Sequence, residues 1–108
     1  MREYLLAETQ HMDTLALDVL RCIDEAQEDG ILESGFLLRV DMEATPTRPA
    51  KAGTYTAQTR EPIRNRRQMV NFARLHLDNA AYRFSRGIET LRIRIHDEVT
   101  GREFALVL

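Results

Sequence analysis

The sequence predicts an α+β domain: two helices packed on one face of a three- or four-stranded antiparallel sheet, in the order α-β-(β)-α-β-β. Three observations predict it. Two long stretches repeat apolar residues at the helical period. Two other stretches alternate apolar and polar residues at the strand period. A Thr-Gly turn near the end of the chain joins two strands as a hairpin. Each helix then has one apolar stripe and the sheet one apolar face, and packing them together buries both. With 108 residues the chain reads as one domain over 1–108.

The first helix is predicted over the first 29 residues. Leu5, Met12, Val19 and Ala26 recur every seven residues, and Leu15, Ala16, Cys22 and Ile23 fill the flanks of the stripe. Gly30 follows as the residue able to take the left-handed conformation that ends many helices. Glu25, Glu28 and Asp29 crowd the last turn, where the helix dipole disfavours acids by about 1 kcal/mol unless an arginine from elsewhere answers them.

The first strand is Gly35 to Glu43, with Phe36, Leu38, Val40 and Met42 on one face and Leu37, Arg39, Asp41 and Glu43 on the other. Residues 44–61 hold two prolines and a glycine and read as a flexible loop. Within it, residues 54–59 fit either a short edge strand pairing back on the first strand or more loop.

The second helix is predicted to start at Asn65, where Asn65-Arg66-Arg67-Gln68 matches the capping-box pattern. Val70, Leu77 and Phe84 recur at seven beside Ala73 and Ala80, and Gly87 marks the end. Leu91, Ile93 and Ile95 then alternate with Arg92, Arg94 and His96. The turn Asp97 to Gly101 leads into a return strand, Arg102 to Leu108. The outer sheet face is expected to carry Arg39, Asp41, Glu43, Arg92, Arg94 and Glu103, paired across neighbouring strands.

Composition excludes several classes. Apolar residues make up 44% and charged residues 30%, which is ordinary for a globular chain. No apolar run is long enough to span a membrane, and the start of the chain does not read as a signal peptide. The single Cys22 leaves no intrachain disulfide and points to a reducing, cytoplasmic setting.

His11, His76 and His96 lie on separate elements without metal-ligand spacing, so neither a metal nor another cofactor is expected. His11 and Cys22 share one predicted helix but stand about 16 Å apart along it, too far for a thiol–imidazole pair. His96 is followed by Asp97 and Glu98, but neighbours on a strand face opposite ways, so adjacency does not make a catalytic pair. No nucleophile elbow, phosphate loop or dinucleotide fingerprint is present. The expectation is a protein that is not an enzyme.

Charge is divided along the chain. Residues 1–43 hold eleven acids and three arginines, whereas residues 44–108 hold twelve basic residues and six acids. The densest basic feature is Arg60, Arg64, Arg66 and Arg67, followed by Arg74, with Arg48, Lys51 and Tyr55 in the preceding loop. Arg67 and Arg74 are one heptad apart and are expected to face the same way. These eight residues are the candidate partner- or anion-binding set. One reading sends the arginines to the acidic first helix or to an acidic protein partner. The alternative sends them to a nucleic-acid backbone. Against nucleic acid stand the acidic balance, with a pI near 5.9, and the lack of an aromatic stacking platform.

Phe104-Ala105-Leu106-Val107-Leu108 is apolar on both faces, which fits a central strand or one covered on both sides. Phe104, Leu106, Val107 and Leu108 are therefore the expected interface of a homodimer.

Arg83-Phe84-Ser85 and Arg94 to Arg102 resemble the strand–Asp-x-x-Thr-Gly–strand ending of flagellar FlaG-like proteins, over about a quarter of the chain. That family's terminal Ile-Pro is replaced here by Leu106-Val107-Leu108, and a Thr-Gly turn is a general hairpin solution. No function is carried over. The expectation is a small interaction or regulatory protein that binds a protein partner or itself. Accessory proteins of bacteria and their mobile elements fit that description.

Overall fold

The computed structural model describes residues 1–9, 11–47, 53–85 and 87–108. The chain is α+β, with seven elements in order: β1 (Arg2–Leu5), α1 (Met12–Glu28), β2 (Leu38–Pro46), β3 (Tyr55–Gln58), α2 (Arg66–Phe84), β4 (Ile88–Asp97) and β5 (Glu103–Val107). Five strands form one open sheet in the order β1-β5-β4-β2-β3. All neighbours are antiparallel except β1 and β5, which are parallel. The sheet is therefore mixed and larger by one strand than the sequence suggests.

The added strand replaces the first turns of the expected helix. Leu5, placed on the helical stripe, instead lies on β1 opposite Val107 and is 72% exposed. β1 forms there because β5 has apolar residues on both faces and an open side, which a strand satisfies with main-chain hydrogen bonds. Leu6 donates its N–H to the Val107 carbonyl at 2.7 Å. Tyr4 and Arg2, on the inward face, both bond Asp29 at the end of α1, at 2.8 and 2.9 Å. Arg2 thus answers the acid crowding of that helix end, and Arg102 adds a bond to the Gly30 carbonyl. Burial, and then the bond to Asp29, pushes the Tyr4 hydroxyl up to about 12.

Residues 12–28 do form a helix. It buries Leu15, Ala16, Val19, Cys22, Ile23 and Ala26, and Gly30 takes φ 74° beyond its end. Cys22 is fully buried and its thiol is pushed up to about 11 by burial, so it stays a protonated core thiol. α2 is capped as expected, with Asn65 accepting from the Gln68 N–H at 2.8 Å. The Gln68 side chain reaches one residue further back, accepting from the Arg64 N–H at 2.7 Å. Ser85, not Gly87, closes the helix in the left-handed conformation, at φ 58°. α2 buries Met69, Ala73, Leu77, Ala80 and Phe84.

The inner face of the sheet joins both helices in one core. Leu38, Val40 and Met42 of β2, Ile93 and Ile95 of β4, and Phe104 and Leu106 of β5 are all at most 2% exposed. Gly101 supplies φ 76° in the β4–β5 turn. Asp97 is buried there and accepts from the Val99 N–H at 2.9 Å and the Glu33 N–H at 3.3 Å, so it ties this turn to the α1–β2 loop. Residues 54–59 resolve as the short edge strand β3, antiparallel to β2.

On the outer face the charges pair, but not all as expected. Arg92 reaches Glu3 at 2.6 Å, Arg94 reaches Glu103 at 3.5 Å, and Arg39 pairs with Glu98. Asp41 and Glu43 stand in register with Arg94 and Arg92, yet those arginines turn toward β5 and β1. The added strand supplies Glu3 as the competing partner.

Phe104 and Leu106 point into the core and are fully buried within the one chain. They are not available to a second copy, which corrects the expectation that they line a dimer interface. β5 is a central strand between β1 and β4; Phe104 and Leu106 join the core on its inner face, while Ala105 and Val107 lie on the outer face beside Arg94, Arg92 and Leu5. Val107 and Leu108 are partly buried at the β1–β5 corner. Among the described residues, no helix is long and apolar enough to cross a membrane.

Candidate partner-binding groove

After β3 the chain is held to the start of β2 at two points. Thr59 donates its N–H to the Val40 carbonyl at 3.1 Å, and Ile63 exchanges hydrogen bonds with Leu38 at 2.8 and 3.0 Å. Between these anchors Arg60, Glu61 and Pro62 bulge away from the sheet. The bulge stands opposite one flank of α2, and the space between them is a groove of about 580 Å³. Gln58 to Ile63 form one wall, and Gln68, Phe72 and His76 form the other.

The helical wall is stiffened from behind. The Tyr55 hydroxyl bonds Nδ1 of His76 at 2.7 Å, and the Phe72 ring centre lies 4.6 Å from that of His76. Arg83 stacks over the Tyr55 ring at 5.2 Å. Burial lowers the pKa of His76, which favours the neutral ring. Tyr55, one of the candidate residues, therefore acts in the wall of the groove through His76.

The candidate arginines separate into two groups. Arg66 pairs with Asp24 of α1, with a second contact at 3.3 Å, and Arg74 pairs with Asp13 at 3.1 Å. These exposed pairs span the seam between the two antiparallel helices, where the start of α2 meets the end of α1. Arg67 and Arg74 lie one heptad apart on α2, and among the described residues only Arg74 of the two is in an ion pair with α1, beside Arg66. Arg60, Arg64 and Arg67 are exposed and form no ion pair among the described residues. Arg60 lies in the groove wall, and Arg64 and Arg67 adjoin the wall residues Ile63 and Gln68 in the chain. Glu61 is the one acid of the bulge. Arg48 and Lys51 lie outside the described residues.

The remaining histidines lie away from the groove. His11 is the exposed residue before α1, and its side chain does not cap the helix. His96 lies on the outer sheet face and bonds Glu103 at 3.1 Å, while Asp97 points inward. The His96 hydrogen bond, with Arg94 adding to it, holds the Glu103 carboxyl below its ordinary range. Among the described residues no three His, Cys, Asp or Glu side chains gather as a metal site.

Sequence reasoning found Arg60, Arg64, Arg67 and Tyr55 but missed Phe72, His76 and Pro62 as groove residues. Phe72 and His76 are four apart on the flank of α2 beside its core stripe. That spacing signals a second apolar flank only once a loop is known to lie against it. No known protein family, curated protein or solved structure matches this chain, so its own geometry carries the functional reading.

Proposed function

We propose that the protein is a small non-enzymatic interaction protein of the cytoplasm that binds an acidic segment of a protein partner at this groove. The observation that carries the reading is the division of the arginines. α1 neutralises Arg66 and Arg74, while Arg60, Arg64 and Arg67 remain exposed beside a groove containing Phe72, Pro62 and His76. Exposed guanidinium groups are suited to bidentate recognition of carboxylates, and an apolar floor adds contact area at the centre of such a site. The Tyr55 hydroxyl bonds one ring nitrogen of His76 and holds the ring in the groove wall.

A nucleic-acid backbone fits less well. Two of the five clustered arginines are engaged by acids, and those acids place negative charge beside any phosphate track. The test is a binding titration of the whole chain with labelled acidic peptides and with a random-sequence oligonucleotide, each at several salt concentrations. Peptide binding that weakens at least tenfold on Arg60→Glu with Arg64→Glu supports the proposal. Tight oligonucleotide binding with a log–log salt slope of about −3 or steeper, and no peptide binding, overturns it.

A further inference from the structure

The free edge of β3 lies at the mouth of this groove, and we propose that the acidic segment binds there as an added sixth strand. The inference rests on the partner-binding reading above and specifies how the segment lies.

β3 closes one side of the sheet, and among the described residues β2 is its only strand partner. Thr59 turns its N–H toward Val40 on β2. In an antiparallel strand alternate residues turn both main-chain groups the same way, so Ala57 and Tyr55 also serve β2. Thr56 and Gln58 therefore present N–H and C=O groups to the open edge. Tyr-Thr-Ala-Gln contains no proline, lysine or inward charge to block pairing at its edge, and its one guard is its length of four residues.

The opposite edge is guarded. The Leu5 carbonyl of β1 accepts from Arg21 at 2.8 Å, and the Ala7 N–H donates to Asp18 at 2.6 Å. The sheet thus has one blocked edge and one open edge, and the open one leads into the groove through Gln58.

A strand laid beside Thr56 and Gln58 projects alternate side chains to the same side as Ala57, toward α2. One apolar or aromatic side chain there meets Phe72 and His76. Residues passing the end of β3 meet Arg60, so the segment carries its acids at that end. Main-chain bonds supply affinity, and the groove and arginines supply selectivity, as in other cases of strand addition.

The experiment pans a random peptide library of about ten residues against the whole chain, then follows amide hydrogen exchange with the enriched peptide bound. The expected result is an acidic run beside an apolar anchor, with slowed exchange at Thr56 and Gln58. Methylating the peptide's backbone nitrogens should weaken binding roughly tenfold or more. Gln58→Pro removes an outward N–H and leaves pairing with β2 intact, so it should abolish binding while circular dichroism is unchanged. If that variant fails to fold, the methylated peptide carries the same test. Acidic peptides that need Arg60 but leave Thr56 and Gln58 exchange unchanged overturn the added strand and spare the partner reading. A library that yields no acidic consensus overturns both.

Discussion

Along its contact with α1, α2 spends Arg66 and Arg74 on Asp24 and Asp13; at the approach to the same helix and in its first turn, Arg60, Arg64 and Arg67 end in solvent beside the groove. The chemistry of the two groups is the same. What differs is the neighbour: α1 is acidic along the seam, whereas the groove wall facing Arg60 contains Phe72 and His76. One run of arginines thus contains members paired across the helix seam and cations open to a partner. Composition alone does not separate them.

The largest effect comes from loosening α2, which carries Arg66, Arg67 and Arg74 and forms one wall of the groove. Leu77→Ala removes a fully buried side chain of α2 and should cost about 2–5 kcal/mol, read by denaturant unfolding, with both functions lost together. The two regions are told apart by charge reversal. Arg60→Glu with Arg64→Glu should weaken acidic-peptide binding by tenfold or more while stability stays within about 0.5 kcal/mol per site. Asp24→Ala should do the opposite. It should cost up to about 1 kcal/mol, less at high salt, and leave peptide affinity unchanged in the same titration.

A smaller effect belongs to the groove wall. Burial lowers the pKa of His76, so the unfolded chain takes up its proton first. The unfolding free energy should be full above the ordinary histidine value of 6.5 and fall as pH drops through it. His76→Gln should flatten that slope, and a slope unchanged by the substitution would count against the assignment. Smallest of all, Tyr82→Ser, at a side chain 90% exposed on α2, should leave stability within about 0.5 kcal/mol and binding unchanged.

Local signals were legible. Asn65 caps α2, Gly30 follows α1 in the left-handed conformation, and the hairpin turns at Gly101. Alternation placed Val40, Met42, Ile93 and Ile95 inward and Arg39 and Arg94 outward. β1 was not legible, because Leu5 falls on the heptad of α1 and its true partner is Val107, at the far end of the chain. A four-residue strand carries too few alternations to compete with a helical stripe. The groove was half legible. The arginines stand out as a cluster, but their division depends on a helix pairing that spacing alone does not register. The opposing wall depends on a bulge anchored to Leu38 and Val40.

The parallel pairing of β1 with β5 also has a consequence in time. β1 is synthesised first among the strands, and β5, its one strand partner among the described residues, is made about a hundred residues later, so β1 cannot join the sheet until nearly all of the described chain exists. During translation Tyr4 and Leu6 lack the β5 surface that covers them in the finished fold. A chain cut short just after β4 keeps the strands β4, β2 and β3 but lacks the strand beside which β1 lies.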